Sequence, residues 1–302
     1  MQPYSGFASV YDLFMDDVPY EEWADYVQRL LKRYHIKEGL VLELGCGTGS
    51  MTRKLAARGY DMIGIDNSGE MLQIARDHGE ESGEGILYLC QDMRDFELYG
   101  TVAAVISVCD SMNYILSEED LLKVFKLVNN YLDPGGIFIF DLDTEYAYRE
   151  ILGDSTIAEN REEGSFIWEN SYYEEEMLNE INLTLFIPEE TILKSDRPET
   201  KQVYEVQAKA EQAKIEQVNR VRSNSKQAAA DSAGSVPVYH KYEETHYRKA
   251  YHPDTIKRLI EEAGMEWVVI YDALTETKPG KNSERVYIVA REKRQAEKLY
   301  IK

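Results

Sequence analysis

The sequence predicts an α/β protein built on a seven-stranded, mostly parallel sheet whose last strand pair is antiparallel, with an antiparallel β cap inserted. Three observations support this fold class. Five short apolar segments alternate with helix-like segments in the N-terminal half, which favours parallel strands covered on both faces. Two C-terminal strand-like segments follow each other without a helix between them and are expected to pair antiparallel. Between these parts, apolar and polar residues alternate, which is typical of an antiparallel sheet.

The N-terminal half begins with two helix-like stretches and then changes to strands. Apolar residues three and four positions apart predict helices within residues 7–14 and 20–31. Short apolar runs predict five strands at residues 40–44, 61–65, 86–90, 102–108 and 137–140. The helices between them are predicted at residues 51–58, from Ser68 to about His78, and from Ser117 to Tyr131. Ser68 and Ser117 are expected to cap their helices, because a serine hydroxyl accepts a hydrogen bond from the first helical turn.

The C-terminal part carries the signals of a helix and a strand pair. Pro253 stands where a helix begins and Gly264 where it ends. Strands predicted at residues 266–271 and 285–290 are joined by a loop, so they are expected to be antiparallel neighbours. Further upstream, Asp-Pro-Gly-Gly at residues 133–136 predicts a turn before the fifth strand.

An insertion separates the fifth strand from the last helix. Residues 166–173 and 177–187 predict a hairpin, and residues 239–251 predict a further strand. A segment rich in Gln, Ala and Lys, with few large apolar residues, lies between the hairpin and that strand. We therefore expect a core of residues 1–145 and 250–302 and an inserted cap subdomain of residues 146–249, with a low-complexity or helical excursion at about 195–235.

The composition restricts the class of protein. The net charge is −21, so a nucleic-acid partner is not expected, because affinity for nucleic acid depends on clustered Lys and Arg. The sequence has neither an apolar window long enough to span a membrane nor a secretory signal. Cys46, Cys90 and Cys109 lie in segments predicted to be buried strands or their ends, and their spacing fits neither a metal site nor a disulfide framework. These features fit a cytoplasmic protein.

The strongest chemical signal is the sequence Leu-Glu-Leu-Gly-Cys-Gly-Thr-Gly at residues 42–49, between a predicted strand and a helix. Its glycines permit a tight turn and close approach of a ligand to the backbone. A dinucleotide-binding loop reads G-x-G-x-x-G, whereas here the third glycine comes one residue earlier and Glu43 precedes the first glycine by two. A carboxylate there would repel a pyrophosphate but suits an ammonium group and a sulfonium, the cationic groups of S-adenosylmethionine.

Two aspartates follow this loop at the ends of the next strands. Asp66 lies twenty-one residues after Gly45, a spacing that suits a carboxylate accepting hydrogen bonds from both ribose hydroxyls. Asp66 could instead cap a helix, since Asn67 and Ser68 follow it. Asp92 ends the third strand and could accept from an adenine amino group.

These residues and the segment 110–114 resemble the successive motifs of class I S-adenosylmethionine-dependent methyltransferases, which have a Rossmann-like sheet. The resemblance is to small bacterial members with a β-rich insertion before the last helix. It implies S-adenosyl-L-methionine as the cofactor and S-adenosyl-L-homocysteine as its product. Residues expected at the cofactor are Tyr11, near the methionine end, Glu43, Gly45, Cys46, Gly47, Asp66, Asn67, Met71 beside the adenine, Asp92, Met93 and Cys109.

Three residues are candidates for the side of the methyl acceptor. Asp110 and Tyr114 follow the fourth strand, where ligands of open α/β sheets bind, although Asp110 could simply stabilise a turn. His246 shares one strand face with Glu244 and Arg248, and such a face could supply a general base. A solvated sheet face is the favoured interpretation of that polar row.

The sequence therefore predicts methyl transfer to a small molecule bound between the N-terminal helix and the cap, with the three candidate residues as walls. Displacement at a methyl sulfonium requires alignment and exclusion of water, and a base only when the acceptor must lose a proton. Two alternatives remain open at this stage: a non-catalytic S-adenosylmethionine-binding regulatory or interaction module, and a methyltransferase acting on tRNA or protein.

Shortening residues 197–234 to a tight turn should leave folding intact, because this segment has few large apolar residues to bury. We expect the melting temperature of the shortened protein to stay close to that of the full chain in a thermal unfolding scan. A large drop would show that the segment packs against the rest of the protein.

Overall fold

The computed structural model describes residues 8–15, 18–82, 85–189 and 238–293. Within this part of the chain, the helices are α1 (Ala8–Phe14), α2 (Tyr20–Arg33), α3 (Ser50–Ala56), α4 (Gly69–Ser82), α5 (Glu118–Tyr131) and α6 (Pro253–Glu262). The strands are β1 (Leu40–Leu44), β2 (Asp61–Asp66), β3 (Leu87–Cys90), β4 (Val102–Ser107), β5 (Leu132–Asp143), β6 (Thr156–Asn160), β7 (Ser165–Tyr173), β8 (Leu178–Pro188), β9 (Tyr239–Lys249), β10 (Met265–Asp272) and β11 (Arg285–Glu292).

Seven strands form the main sheet in the order β10-β11-β5-β4-β1-β2-β3. The five strands from β5 to β3 in this order pair in parallel, and β11 pairs antiparallel with both β5 and β10. This arrangement confirms the predicted fold class. The strand order reverses between β1 and β4, and at such a point the loops after neighbouring strands open a crevice at their carboxyl ends.

Both faces of the main sheet are covered, as the apolar strands require. Along β5, Phe138 and Phe140 pack into a core with α5 and α6, whereas Ile137 and Ile139 pack into a second core with α2 and α3. All four side chains are fully buried. Because side chains alternate between the faces of a strand, a central strand with helices on both sides must be apolar at successive positions.

The predicted helix starts agree with the observed capping bonds. Ser117 Oγ accepts from the backbone N–H of Asp120 at 3.1 Å, and Ser68 Oγ accepts from that of Met71 at 3.2 Å. These bonds satisfy N–H groups of the first turn that have no partner inside the helix. Pro253 is the first residue of α6, as its fixed φ angle favours.

Several local features differ from the sequence expectation. The Asp-Pro-Gly-Gly segment is the beginning of the long strand β5, because Val102 in β4 pairs with Leu132 at its start. A 3₁₀ turn at Ser111–Tyr114 and a π-helical turn at Ala147–Leu152 have no strong sequence signal and were not predicted. Cys90 is exposed, contrary to the expectation of a buried strand, because it ends the edge strand β3.

The predicted insertion contains a second, four-stranded sheet in the order β6-β7-β8-β9. The predicted hairpin corresponds to β7 and β8, and β6 is an additional strand that the sequence did not indicate. The described residues divide into two compact units: those within 1–157, 168–183 and 244–302 form one, and those within 158–167 and 184–243 form the other. The predicted boundaries of core and cap subdomain stay a prediction.

The excursion predicted at about 195–235, including the segment proposed for shortening, lies outside the described residues, as does Phe7. Among the described residues, no helix is both long and apolar enough to cross a membrane.

Candidate active site

A cavity lies at the carboxyl ends of the parallel strands, within the larger compact unit. Every residue predicted to bind the cofactor lines this cavity. The other residues that line it are Tyr20, Thr48, Ser50, Met51, Ile65, Gln91, Arg94, Val108, Ser111, Tyr114 and Ile115. Residues that are far apart in the sequence, from Tyr11 to Ile115, thus come together where the strand order of the sheet reverses. The roles of these residues in cofactor binding stay predictions.

The glycine-rich loop is fixed by backbone bonds from β2. The N–H groups of Gly45 and Cys46 both donate to the carbonyl oxygen of Ile65, at 2.8 and 3.0 Å. Gly45 has a φ of 72°, and a Cβ there would lie 2.6 Å from Ser111 Oγ. Gly47, with a φ of 53°, would meet no atom within 4 Å on gaining a Cβ. Position 45 therefore requires glycine, because a side chain would clash with Ser111. At position 47, the backbone is exposed to open space beside the cavity.

Asp66 supports the glycine-rich loop with its carboxylate. Its Oδ2 accepts from the N–H of Gly47 and its Oδ1 from the N–H of Ser68, both at 2.8 Å. Burial raises the pKa of Asp66, and these backbone hydrogen bonds oppose the rise. Ser68, and not Asp66, caps α4. The carboxylate is thus part of the cavity wall and also holds the loop in place.

Glu43 places a second carboxylate below the same loop. Its side chain is buried, with 2% of the residue exposed, and accepts a short hydrogen bond from the hydroxyl of Thr52 on α3. Burial raises the pKa of Glu43 to about 8, and the negative charge of Asp66 contributes to the rise. A cationic ligand in the cavity would favour the ionised form of Glu43.

The N-terminal elements reach this site through polar side chains. Asp12 on α1 accepts a hydrogen bond from the hydroxyl of Thr48 in the glycine-rich loop, at 2.7 Å. Tyr11 and Tyr20 both line the cavity and are hydrogen-bonded to each other. Burial raises the pKa of both phenols, so each remains protonated at neutral pH. Tyr20 was not among the predicted site residues.

The predicted adenine end combines a paired carboxylate with apolar side chains. Asp92 forms an ion pair with Arg94, with 2.5 Å between Oδ2 and Nη2, and this lowers the pKa of Asp92. Met71 is buried in the cavity wall, and Met93 packs beside the core. Such flexible thioether side chains adapt to the face of an aromatic ring.

The end of β4 is held in an unusual backbone conformation. Cys109 and Asp110 have φ angles of 62° and 53°, a left-handed region that non-glycine residues rarely adopt. The carboxylate of Asp141, at the end of the neighbouring strand β5, accepts from both backbone N–H groups, at 3.0 and 2.9 Å. Arg285 on β11 donates to the same carboxylate at 3.2 Å. Burial raises the pKa of Asp141 to about 7, and Arg285 opposes this rise.

Asp110 belongs to a buried charge cluster and is absent from the cavity wall. Its two carboxylate oxygens pair with Arg248 at 2.5 Å and with Arg285 at 3.0 Å. Asp143 pairs with the same two guanidinium groups, at 3.6 and 2.8 Å. The side chain predicted to face the acceptor is therefore engaged within the protein. Tyr114, four residues after Asp110, does line the cavity.

The polar row on β9 is buried. The exposed fractions of Glu244, His246 and Arg248 are 6%, 4% and 7%, so the favoured interpretation as a solvated face was wrong. Their side chains face protein groups: His246 Nδ1 lies 3.5 Å from the hydroxyl of Tyr114, and Arg248 stacks at 5.8 Å over the ring of Trp168. The alternation of β9 was predicted correctly, but the sequence could not show what would cover its polar face.

Comparison with known proteins assigns a family to this geometry. Residues 41–136 match the family described as a methyltransferase domain. The protein YqeM of Bacillus subtilis, named as a methyltransferase, is 28% identical over 288 residues, which cover 95% of this chain and 96% of that protein. An uncharacterized methyltransferase of Bacillus cytotoxicus is 30% identical over 161 residues, which cover 52% of this chain and 73% of that protein.

Solved structures agree with this assignment. An S-adenosylmethionine-dependent methyltransferase from Clostridium acetobutylicum aligns with a TM-score of 0.71 at 24% identity, covering 96% of this chain and 99% of that one. The chain belongs to the class I S-adenosylmethionine-dependent methyltransferases. The S-adenosylmethionine-bound amino pentose methyltransferase CalS10 from Micromonospora echinaspora aligns with a TM-score of 0.63 at 15% identity, covering 94% and 96%. S-adenosylmethionine is the cofactor that membership of this family implies.

Sequence reasoning missed part of the methyltransferase site. Asp141 and Asp143 alternate at the end of the apolar strand β5, and two carboxylates on one face of a buried strand were a usable signal. Arg285 begins β11 and offered no comparable signal, since its contacts depend on strand order. Tyr20 lies in a predicted helix whose orientation toward the cavity could not be deduced.

Replacing Glu43 by Gln should change how the stability of the methyltransferase depends on pH. The pKa of Glu43 is raised from 4.5 to about 8 in the folded protein, so the folded state binds the proton more tightly and loses stability as pH rises through this range. The free energy of unfolding of wild type, minus that of the variant, should fall by about 2–5 kcal/mol between pH 5 and pH 9. Urea denaturation without cofactor measures this difference. The exposed Glu38→Gln variant controls for loss of one charge, and parallel wild-type and Glu43→Gln curves would contradict the prediction.

Replacing Asp141 by Asn should destabilise the end of β4. An amide side chain has one acceptor oxygen, so either the N–H of Cys109 or that of Asp110 loses its partner. We expect a loss of about 1–3 kcal/mol in the free energy of unfolding, together with weaker cofactor binding. Asp133→Asn, the same change near the start of β5, is the control because its acceptor oxygen toward Thr101 is retained. Equal stability of the two variants would show that Asp141 does not hold this turn.

Proposed function

We propose that this methyltransferase transfers the methyl group of S-adenosylmethionine to a small organic molecule. The observation that carries the proposal is the cavity at the carboxyl ends of the strands, in which the bare backbone of Gly47 lies beside the carboxylates of Glu43 and Asp66. When bound, S-adenosylmethionine supplies an electrophilic methyl group on a positively charged sulfur. The residues of the chain then need to bind the cofactor, orient the acceptor and exclude water.

The cavity residues fit the chemistry of this cofactor. Asp66, which holds the glycine-rich loop, would accept from the ribose hydroxyls, and Asn67 would lie next to them. Glu43 and Tyr11 would surround the cationic methionine end, because a buried carboxylate stabilises a nearby positive charge. Met71 and Met93 would enclose the adenine, with Asp92 at its amino group. Gly45, Cys46 and Cys109 would contribute to the cavity wall between these ends.

The acceptor is proposed to bind on the side of Tyr114. This phenol lines the cavity, and His246 lies directly behind it. Asp110 would act indirectly, by fixing the turn from which Tyr114 projects. A small acceptor agrees with the amino pentose named for CalS10, which shares the fold of this chain. The net charge of −21 disfavours a polyanionic substrate such as tRNA.

The non-catalytic alternative is less favoured. A module that only binds the cofactor does not need further ordered polar groups at its site, whereas here Tyr114 lines the cavity and the buried His246 lies behind it. The relatives that match almost the whole chain or about half of it also carry the names of methyltransferases.

The cofactor site can be tested by calorimetry. We expect the chain to bind S-adenosylmethionine and S-adenosylhomocysteine and not to bind NAD. The Asp66→Ala variant should bind about 1–3 kcal/mol more weakly, because ribose hydroxyls and the N–H of Gly47 lose a charged acceptor. Asp61→Ala, at the exposed start of the same strand, is the matched control. Binding of NAD without a response to either sulfur compound would contradict the proposal, and unchanged affinity of the Asp66→Ala variant would limit Asp66 to a structural role.

A further inference from the structure

Three polar side chains form a continuous line that begins at the cavity wall. The hydroxyl of Tyr114 lies 3.5 Å from His246 Nδ1, and His246 Nε2 lies 3.3 Å from Glu244 Oε2. The rings of Tyr114 and His246 meet edge to face, with 6.0 Å between their centroids. His246 and Glu244 are buried, whereas Tyr114 reaches the cavity. The line therefore connects the space beside the cofactor with a buried carboxylate.

The Tyr114–His246 and His246–Glu244 distances both fit a single placement of the protons on Tyr114 and His246. If His246 carries its proton on Nε2, the nitrogen nearer to Glu244, its Nδ1 presents a lone pair to the hydroxyl of Tyr114. Tyr114 can then donate to His246 while its own oxygen accepts from a molecule in the cavity. A gap of 3.5 Å is long for this bond, but such contacts often shorten when substrate is bound.

Other charged groups near these three residues form ion pairs with one another. Arg248 follows His246 on the same face of β9 and pairs with Asp110 and Asp143. Tyr148, in the π-helical turn, lies 5.7 Å from the Arg248 guanidinium. Asp110 has both carboxylate oxygens in ion pairs. The imidazole of His246, in contrast, lies between the hydroxyl of Tyr114 and the carboxylate of Glu244.

We propose that Tyr114, His246 and Glu244 form a proton-accepting relay, and that the acceptor is a hydroxyl or amine compound that must lose a proton. This inference rests on the proposed methyl transfer. As the acceptor atom bonds to the methyl carbon, the carbon–sulfur bond breaks and sulfur keeps its electron pair. The proton of the acceptor passes to the oxygen of Tyr114, and the proton of Tyr114 passes to His246 Nδ1. Glu244 stabilises the imidazolium, which returns the proton to Tyr114 and then to water as the product leaves.

In this relay Tyr114 is the catalytic residue, His246 is the proton store and Glu244 is a positioning residue. A purely structural role would make the same residues important for folding only. The two roles differ in the tautomer of His246 and in the dependence of catalysis on the proton of the acceptor.

The first test is nuclear magnetic resonance of the full chain saturated with S-adenosylhomocysteine. Long-range ¹H–¹⁵N spectra, assigned by loss of one histidine signal in His246→Gln, should show the Nε2–H tautomer for His246. Tyr114→Phe should shift the Nδ1 resonance, and Glu244→Gln should shift the Nε2 resonance. Tyr247→Phe and Glu243→Gln, at exposed neighbouring positions on β9, should change neither. An Nδ1–H tautomer, or an Nδ1 signal insensitive to Tyr114→Phe, would overturn the relay.

The second test compares acceptors with and without a proton to lose. Phenol and benzylamine are the proton-losing probes, and thioanisole is the probe without such a proton; transfer from radiolabelled S-adenosylmethionine is measured. For the proton-losing probes, Tyr114→Phe and His246→Gln should lower kcat by about 10² with little change in the KM of the cofactor. Transfer to thioanisole should not depend on His246. An equal loss of kcat for both kinds of probe would overturn the relay.

Calorimetry with S-adenosylmethionine separates failure of the relay from failure of the proposed function. If both variants bind the cofactor like wild type but the resonance results contradict the expected tautomer, the relay is wrong and the methyltransferase assignment stands. If wild type does not bind the cofactor, the proposed function itself fails. His240→Gln, elsewhere on β9, controls for loss of an imidazole.

Discussion

The buried ion pairs between β5 and β11 are the constraint on which the acceptor side of the site depends. Arg285 contacts Asp141, Asp143 and Asp110; Asp141 and Asp143 are buried, and Arg285 and Asp110 are half-buried. Burial of unpaired charges costs several kcal/mol per ion, so each member requires the others. Because Asp141 also accepts from the backbone of Cys109 and Asp110, the cluster fixes a left-handed turn that would otherwise be strained. The position of Tyr114, one short turn later, follows from this arrangement.

Local sequence signals were enough to predict the sheet and the residues that line one side of the cavity. Gly45, Gly47 and Glu43 lie within one short segment, and their spacing already limits the conformation and charge of the loop. Asp66 ends β2 and Asp92 follows the end of β3, and parallel strands place their carboxyl ends at one edge. These predictions depend on residues whose relative positions are set by one strand, the turn after it and the following helix.

The acceptor side could not be predicted in the same way because its contacts join distant parts of the chain. Asp110 and Arg285 are 175 residues apart, and Tyr114 and His246 are 132 residues apart. The polar residues of β9 have the alternation of a half-solvated strand, and only the packing of other elements over that face decides that they are buried. A pattern of residue types can indicate which residues share a face, but burial of that face is a tertiary property.

The balance of charge around the cavity relates the fold to the choice of ligand. The cations of this region, Arg94, Arg248 and Arg285, are paired with carboxylates, whereas Glu43 is buried with a hydroxyl as its partner and has a pKa raised to about 8. The cavity thus has an excess of acidic groups when it contains no cation. A ligand that brings a sulfonium and an ammonium group offsets this excess, because opposite charge favours the ionised carboxylate in a buried site. The same excess opposes an anionic acceptor. In the proposed mechanism, the cofactor is bound by Glu43 and Asp66, whereas the proton is removed through Tyr114 and His246, with Glu244 next to the imidazole. The proposal therefore assigns cofactor affinity and proton removal to different buried carboxylates.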